Sequence, residues 1–452
     1  MKRANWTLAG TLLLLLTGGC GWPAPAASPS APNPATGPET AAPTPTLTQP
    51  PSLPAHSPSP SPSPSSAPSP SRTSTDQDQI TTRVRSMTLE EKVGQMILAG
   101  VEGTEVDANA KKMIAQDHVG GIILFKDNMS GGLRQSVLLL NGLKAANAGN
   151  PAPLFLSVDQ EGGRVSRLPK EFEPMPANAV VGRTGDTRLA ERMGALIARQ
   201  LRLLGFNVDF APVMDVNSNP ENPVIGERSF GATPALVAKM GTAEMKGIRE
   251  GGVIPVIKHF PGHGDTSVDS HVDLPVVRKT SAQLADLEWI PFRKAIASGA
   301  DAVMAAHILF PIIDPDAPAS FSKVIIGDQL RGKLGFEGVV ITDDLTMGAI
   351  VKNYGIAEAA VKSVEAGSDI LLAAHGYDTE HKIREAVLDA VRSGRIPVSR
   401  IDESVIRILK LKQRYALSDR AVPVPKLSDL PNAEIRRWRQ EVDAASGKQA
   451  PF

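Results

Sequence analysis

Beyond residue 76 the chain alternates between short apolar runs and longer stretches whose apolar and polar positions follow helical spacing. The apolar runs lie at 93–99, 121–125, 154–158, 208–212, 253–257, 302–306, 339–341 and 370–373. Runs this short predict buried strands rather than helices. The stretches 189–204, 234–250, 281–298 and 356–365 predict amphipathic helices between them. Strands that alternate with helices predict a parallel sheet. Eight such units over roughly 350 residues point to an α/β fold of the (β/α)8 TIM-barrel type, and the pattern alone leaves a doubly wound open sheet as the alternative.

Polar residues gather just after the strands: Asp159, Asp215, Lys258 with His259, His307, and Asp343 with Asp344. In a barrel these positions share one mouth, where this fold carries its chemistry. The fifth strand runs into 258–271, a loop rich in glycine, histidine and aspartate that makes poor core material. Lys258 and His259 are neighbours, and neighbours in a regular strand face opposite sides. If both reach one ligand, the backbone must be irregular between Lys258 and Pro261. Asp344 precedes 345–351, which reads as a helix start, so Asp344 is expected to be its N-cap and Asp343 the freer carboxylate.

The segment 258–271 and the run Gly338-Val339-Val340-Ile341-Thr342-Asp343-Asp344-Leu345-Thr346-Met347 occur with two further motifs. These are Asp159-Gln160-Glu161-Gly162-Gly163-Arg164-Val165-Ser166-Arg167 and Asn222-Pro223-Val224-Ile225-Gly226-Glu227-Arg228-Ser229-Phe230. Together, and in this order, they resemble the family 3 glycoside hydrolases, specifically the bacterial β-N-acetylglucosaminidases of the NagZ type, from about Met87 to Tyr415. The resemblance implies that Asp159, Arg167, Arg228, Lys258 and His259 bind the sugar, that Met347 lines the pocket, and that Asp343 is the nucleophile. Elementary chemistry agrees with these residue types. A pyranose hydroxyl both donates and accepts, so its site combines acceptor-only carboxylates with donor-only lysine and arginine.

The implied reaction is retaining release of terminal β-linked N-acetylglucosamine from N-acetylglucosamine–N-acetylmuramic acid wall fragments through a glycosyl-aspartyl intermediate. Retaining enzymes normally use two carboxyl groups. Here the acid/base role falls to His271, with Asp269 orienting its ring; a histidine of ordinary pKa near ~6.5 can give and then take a proton around neutrality. A histidine also repels anions less than a carboxylate does, so phosphorolysis on the same site is the runner-up, and a non-catalytic sugar-binding lipoprotein is a third reading. His263, Asp265 and His271 raise a barrel metallohydrolase as a further class, but the chain lacks the histidine pairs at other strand ends that such enzymes need, so no metal and no cofactor are expected. His56, His118, His375 and His381 fall outside the motifs and read as surface or core histidines. Family members often continue into a second domain; here 418–452 reads as a polar tail with a short helix over 432–444, so every catalytic group is expected from the barrel domain, 76–417.

Composition adds an address. Lys+Arg and Asp+Glu are 48 each, so nothing in the charge suggests nucleic acid as a partner. The single cysteine, Cys20, excludes disulfides and thiolate chemistry from the folded part. Residues 1–19, with Lys2, Arg3, an apolar run at 12–16 and Gly18-Gly19, read as a signal peptide, and Cys20 directly after resembles a bacterial lipoprotein cleavage site. Residues 20–75 form a Pro/Ser/Ala/Thr linker holding 17 of the 38 prolines, whose extended geometry could reach up to ~170 Å. The expectation is an exported monomer, lipid-anchored at Cys20 to the outer face of the cell membrane and acting on carbohydrate.

Overall fold

The structure is a computed structural model that describes residues 72–447. The signal peptide, Cys20 and the linker lie outside the described residues. Eight parallel strands form the centre: β1 Ile97–Gly100, β2 Gly121–Ile123, β3 Phe155–Val158, β4 Val208–Asp209, β5 Ile254–Phe260, β6 Ala302–Ala305, β9 Val339–Thr342 and β10 Leu371–Ala373. They run in the order β10-β1-β2-β3-β4-β5-β6-β9. A parallel bridge between Ile341 and Ile370 joins β9 to β10, with Thr342 N–H donating to the Ile370 carbonyl at 3.0 Å. The sheet therefore closes, which decides for the (β/α)8 barrel over the open sheet. The remaining strands, β7 Leu309–Phe310 and β8 Asp314–Pro318, form a hairpin that the apolar pattern does not announce, because Pro315 and Asp316 are exposed and Asp314 is held by Ser322 Oγ.

Each barrel strand is buried along its length, which explains why its sequence is mostly apolar instead of alternating, with Ser157, Asp209, Lys258, His259 and Thr342 as the polar exceptions. The outer helices present a single apolar face. Thr187–Leu204 buries Leu189, Met193, Ile197, Leu201 and Leu204 at helical spacing, each contributing about 1.5–3 kcal/mol. It packs closely on Pro234–Glu250 because Gly194 and Gly247 leave room there: a Cβ on Gly247 would sit 1.9 Å from the Glu191 carbonyl.

Three local expectations are corrected. The first half of 93–99 is not strand but the end of a helix, Leu89–Gln95, started by a reciprocal cap between Thr88 and Glu91. The stretch 281–298 is two helices, Ser281–Asp286 and Trp289–Ala297, parted where Glu288 turns inward to hold Lys279 at 2.5 Å. Asp344 caps no helix; the helix begins later, at Gly348, after Met347. Its carboxylate instead ties a turn, accepting from Thr346 N–H at 2.9 Å and Ala374 N–H at 3.0 Å.

The first described helix lies at the barrel's base. Helix Arg72–Ser86 packs on helix Val398–Arg414, placing Ile80 beside Pro153, just before β3, and beside Leu417. The segment after Leu417, polar in composition, is folded onto the barrel. Asp419 accepts from Leu154 N–H, and helix Asn432–Ala445 buries Ile435, Trp438 and Val442.

Candidate active site

At the mouth, β3 and β5 bring opposite charges together. Lys258 Nζ lies 2.5 Å from Asp159 Oδ1 and 2.7 Å from Glu161 Oε1. Glu161 also receives both faces of the Arg228 fork, at 2.7 and 2.8 Å. Burial raises the Glu161 pKa, but Arg228 and Lys258 outweigh it and hold the carboxyl well below the usual range. Burial likewise opposes the charge on Lys258, and Asp159 and Glu161 overcome it. The result is a fixed array of acceptors and donors with its charges set before any ligand arrives.

His259 completes the array. Its Nδ1 is 2.7 Å from Asp215 Oδ2, and its Nε2 is 3.4 Å from the Arg228 guanidinium. Burial raises the Asp215 pKa, but the neighbouring histidines pull it below the ordinary value, so the group is an acceptor-only carboxylate. It therefore accepts a hydrogen bond from Nδ1–H and turns Nε2 toward the cavity. The peptide between Lys258 and His259 is cis, the register to β6 shifts between Ile257 and Phe260, and both side chains line one cavity. The irregular backbone expected here is thus present. Arg167 also lines the cavity, with its backbone N–H donating to Gln160 Oε1 at 3.0 Å and its buried Nε without a partner among the described residues. Arg164 points away and bonds the Val224 carbonyl.

Across the cavity, Asp343 follows β9. Its N–H is tied to the Ala305 carbonyl at 2.9 Å, and its Oδ1 accepts from Asp344 N–H at 2.9 Å. Among the described residues no lysine or arginine pairs with it. Burial pushes its pKa up, but His307, His259 and the Asp344 N–H bring it below the usual carboxylate value. His307 is buried and fixed between Ser320 Oγ at 2.7 Å and the Asp344 carbonyl at 3.0 Å, so it anchors the turn that carries Asp343.

The loop after β5 folds back over this carboxylate. Gly348 N–H donates to the His271 carbonyl and Ala349 N–H to the Ser270 carbonyl, at 3.2 and 3.1 Å. His271 Nδ1 is 2.9 Å from Asp269 Oδ1, while its ring, 67% exposed, reaches the same cavity as Asp343 and Met347. His263 is the loop's internal support, bonded to Thr266 and Ser270; burial, then the nearby His259, lowers its pKa to about 4 and keeps it neutral. Asp265 pairs with Lys279 at 2.8 Å, so His263, Asp265 and His271 serve three separate partners.

The cavity so enclosed measures about 350 Å³. A larger one, about 790 Å³, lies at the barrel's other end around Asp301, Arg331 and Arg414, whose charges are paired within the protein. At the mouth, by contrast, Asp343 shares the cavity with His271 and has no lysine or arginine partner among the described residues. Sequence reasoning names Asp215 and His307 as polar residues after strands but not their roles as supports, and it leaves Glu161 inside a motif without a function. It places His375 outside the site, whereas the structure puts it in the cavity lining beside Phe125. Beneath the array, Asp209 Oδ2 and both Glu244 oxygens are buried without partners among the described residues, and burial holds both groups well above the usual carboxylate range.

A closed (β/α)8 barrel whose mouth sets a lone carboxylate against an array for hydroxyls has the architecture of a glycoside-processing enzyme. Residues 88–411 match the glycosyl hydrolase family 3 N terminal domain, and the chain belongs to that family. It is 36% identical over 347 residues to "Beta-hexosaminidase LpqI" of Mycobacterium tuberculosis, covering 71% of this chain and 82% of that one. It is 34% identical over 368 residues to "Beta-hexosaminidase A" of Pseudoalteromonas piscicida, covering 76% of this chain but only 61% of that protein's length. Among solved structures, a family 3 β-N-acetylglucosaminidase from Paenibacillus superposes with a TM-score of 0.77 at 46% identity, covering 80% of this chain and 69% of the other.

Proposed function

We propose that this enzyme is a retaining exo-β-N-acetylglucosaminidase that releases terminal N-acetylglucosamine from peptidoglycan-derived fragments. The observation that carries the reading is the pairing in one cavity of Asp343, ionised and free of any cation, with His271 backed by Asp269. The charged array of Asp159, Lys258, Arg228 and His259, with Arg167, holds the terminal sugar's hydroxyls, and Met347 closes the apolar side.

In the first step an Asp343 oxygen attacks the anomeric carbon as its bond to the leaving oxygen breaks, and that oxygen takes a proton from His271. In the second, His271 removes a proton from water, whose oxygen displaces Asp343 and regenerates the carboxylate. Asp269 can only accept, so it holds the Nδ1 proton in place and leaves Nε2 for the substrate. Hydrolysis, not phosphorolysis, accords with the hexosaminidase relatives.

The test is product analysis with purified protein. Aryl N-acetyl-β-glucosaminides should be cleaved faster than aryl β-glucosides, and phosphate buffer should yield free N-acetylglucosamine without sugar 1-phosphate. Faster glucoside cleavage would sink the specificity. For location, we propose export and lipidation at Cys20; mass spectrometry of the mature N-terminus checks it, and an unmodified Cys20 counts against it.

A further inference from the structure

Phe125 and His375 stack at the mouth, ring centroids 5.0 Å apart and planes 27° from parallel. Neither belongs to the sugar array or the acid–base pair. Phe125 is the one Phe, Tyr or Trp side chain lining the cavity among the described residues. Its position is fixed: its N–H donates to Asn128 Oδ1 at 2.7 Å, and Asn128 in turn bonds the Val101 and Gly103 carbonyls. His375 is exposed, and no hydrogen bond engages its ring among the described residues. An exposed imidazole held against a phenyl ring by stacking alone leaves its outer face and both nitrogens open to a ligand.

Topology gives the direction. His375 follows β10 and Phe125 follows β2, so the pair bridges the rim above β1. In the closed barrel β1 lies opposite β5, which carries Lys258 and His259. A terminal sugar held at β3–β5 with its anomeric carbon toward Asp343, after β9, sends its leaving group toward β10 and the stack. His271 lies on the same side, tied to Gly348 just past β9.

We propose that Phe125 and His375 form the platform on which the leaving sugar seats, a specificity-determining pair for the reaction proposed above, on which this inference rests. The faces of a β-linked pyranose are lined by axial C–H groups, and an aromatic face, bearing the negative end of the ring quadrupole, attracts them. The imidazole nitrogens add hydrogen bonds to that ring's hydroxyls. The platform would thus select a sugar over a small leaving group.

Two substrates separate the platform from the chemistry: a β-1,4-linked N-acetylglucosamine disaccharide and N-acetyl-β-glucosaminyl fluoride, whose leaving group is too small to touch the stack. For Phe125→Ala and His375→Ala, kcat/KM on the disaccharide should fall about tenfold, and on the fluoride at least fivefold less. His375→Phe, which keeps the stack, should recover most of the disaccharide rate. His375 is exposed, so its variants test the idea even if Phe125→Ala fails to fold. Equal losses on both substrates, or undiminished disaccharide cleavage, would overturn the platform. A wild-type enzyme that cleaves neither substrate would overturn the glycosidase reading itself.

Discussion

Asp343 owes its ionisation to imidazoles and a backbone N–H, whereas Glu161 owes its own to an arginine and a lysine. That difference suits a nucleophile, which a tight ion pair would blunt. Every substrate needs the nucleophile, but only a poor leaving group needs the proton. His271→Ala should therefore slow a natural disaccharide at least a hundredfold yet keep much of the first step on an activated aryl glycoside, while Asp343→Asn abolishes both; equal losses for His271→Ala would refute its role. His263 offers a stability test. Its folded pKa, about 4, lies below the unfolded ~6.5, so the unfolded chain takes the proton first. Its contribution is complete above pH 6.5 and is lost as pH falls toward 4. Between pH 7.5 and 5 the wild type should lose ~2 kcal/mol more than His263→Gln, read from denaturant midpoints. The residues at strand ends were legible in the sequence because a barrel gathers them at one mouth. The supporting roles were not, since Glu161, Asp215 and His307 act through partners far away in sequence.

Among the elements, the loop from Gly262 to His271 does the most with the least regular structure. Gly264 runs against the chain after β4, where a Cβ would stand 1.7 Å from the Val216 carbonyl. Gly264→Ala must push the two backbones apart and carry His271 away from Asp343. Its kcat/KM should drop at least tenfold, more on a disaccharide than on an activated aryl glycoside, with the far-ultraviolet circular dichroism unchanged; full activity would show that the loop tolerates the shift. The strands were visible because burial on both faces makes them apolar but for a few polar positions such as Lys258 and His259. Their boundaries were less so: Val93 looks like strand, yet the cap between Thr88 and Glu91 commits it to a helix. The break at Glu288 is set by its buried pairing with Lys279, which helical spacing cannot reveal.

At the scale of the molecule, the segment after Leu417 braces the substrate side. Asn432 accepts from Glu173 N–H and donates to the Glu171 carbonyl, and Arg436 and Arg439 pair with Glu173, all on the chain just beyond Arg167. Trp438, fully buried, pins the helix through its indole N–H to the Leu189 carbonyl at 3.2 Å. Trp438→Ala should cost about 3–5 kcal/mol in stability and also raise KM, since the Arg167 loop loses its brace; a folded variant with unchanged KM would limit the segment to stability. Polar composition hid this role, because only Leu430, Pro431, Ile435, Trp438 and Val442 are buried in it among the described residues.

The helix Arg72–Ser86 beside Pro153 and Leu417 fixes where attachments can be made. The strands start at that end and finish at Asp159 and Asp343, so this helix and the candidate site occupy opposite ends of the barrel. A bulky globular cargo fused ahead of Arg72 should leave turnover of soluble substrate within twofold of the cargo-free domain, while the same cargo inserted beside Gly376, on the rim, should obstruct it.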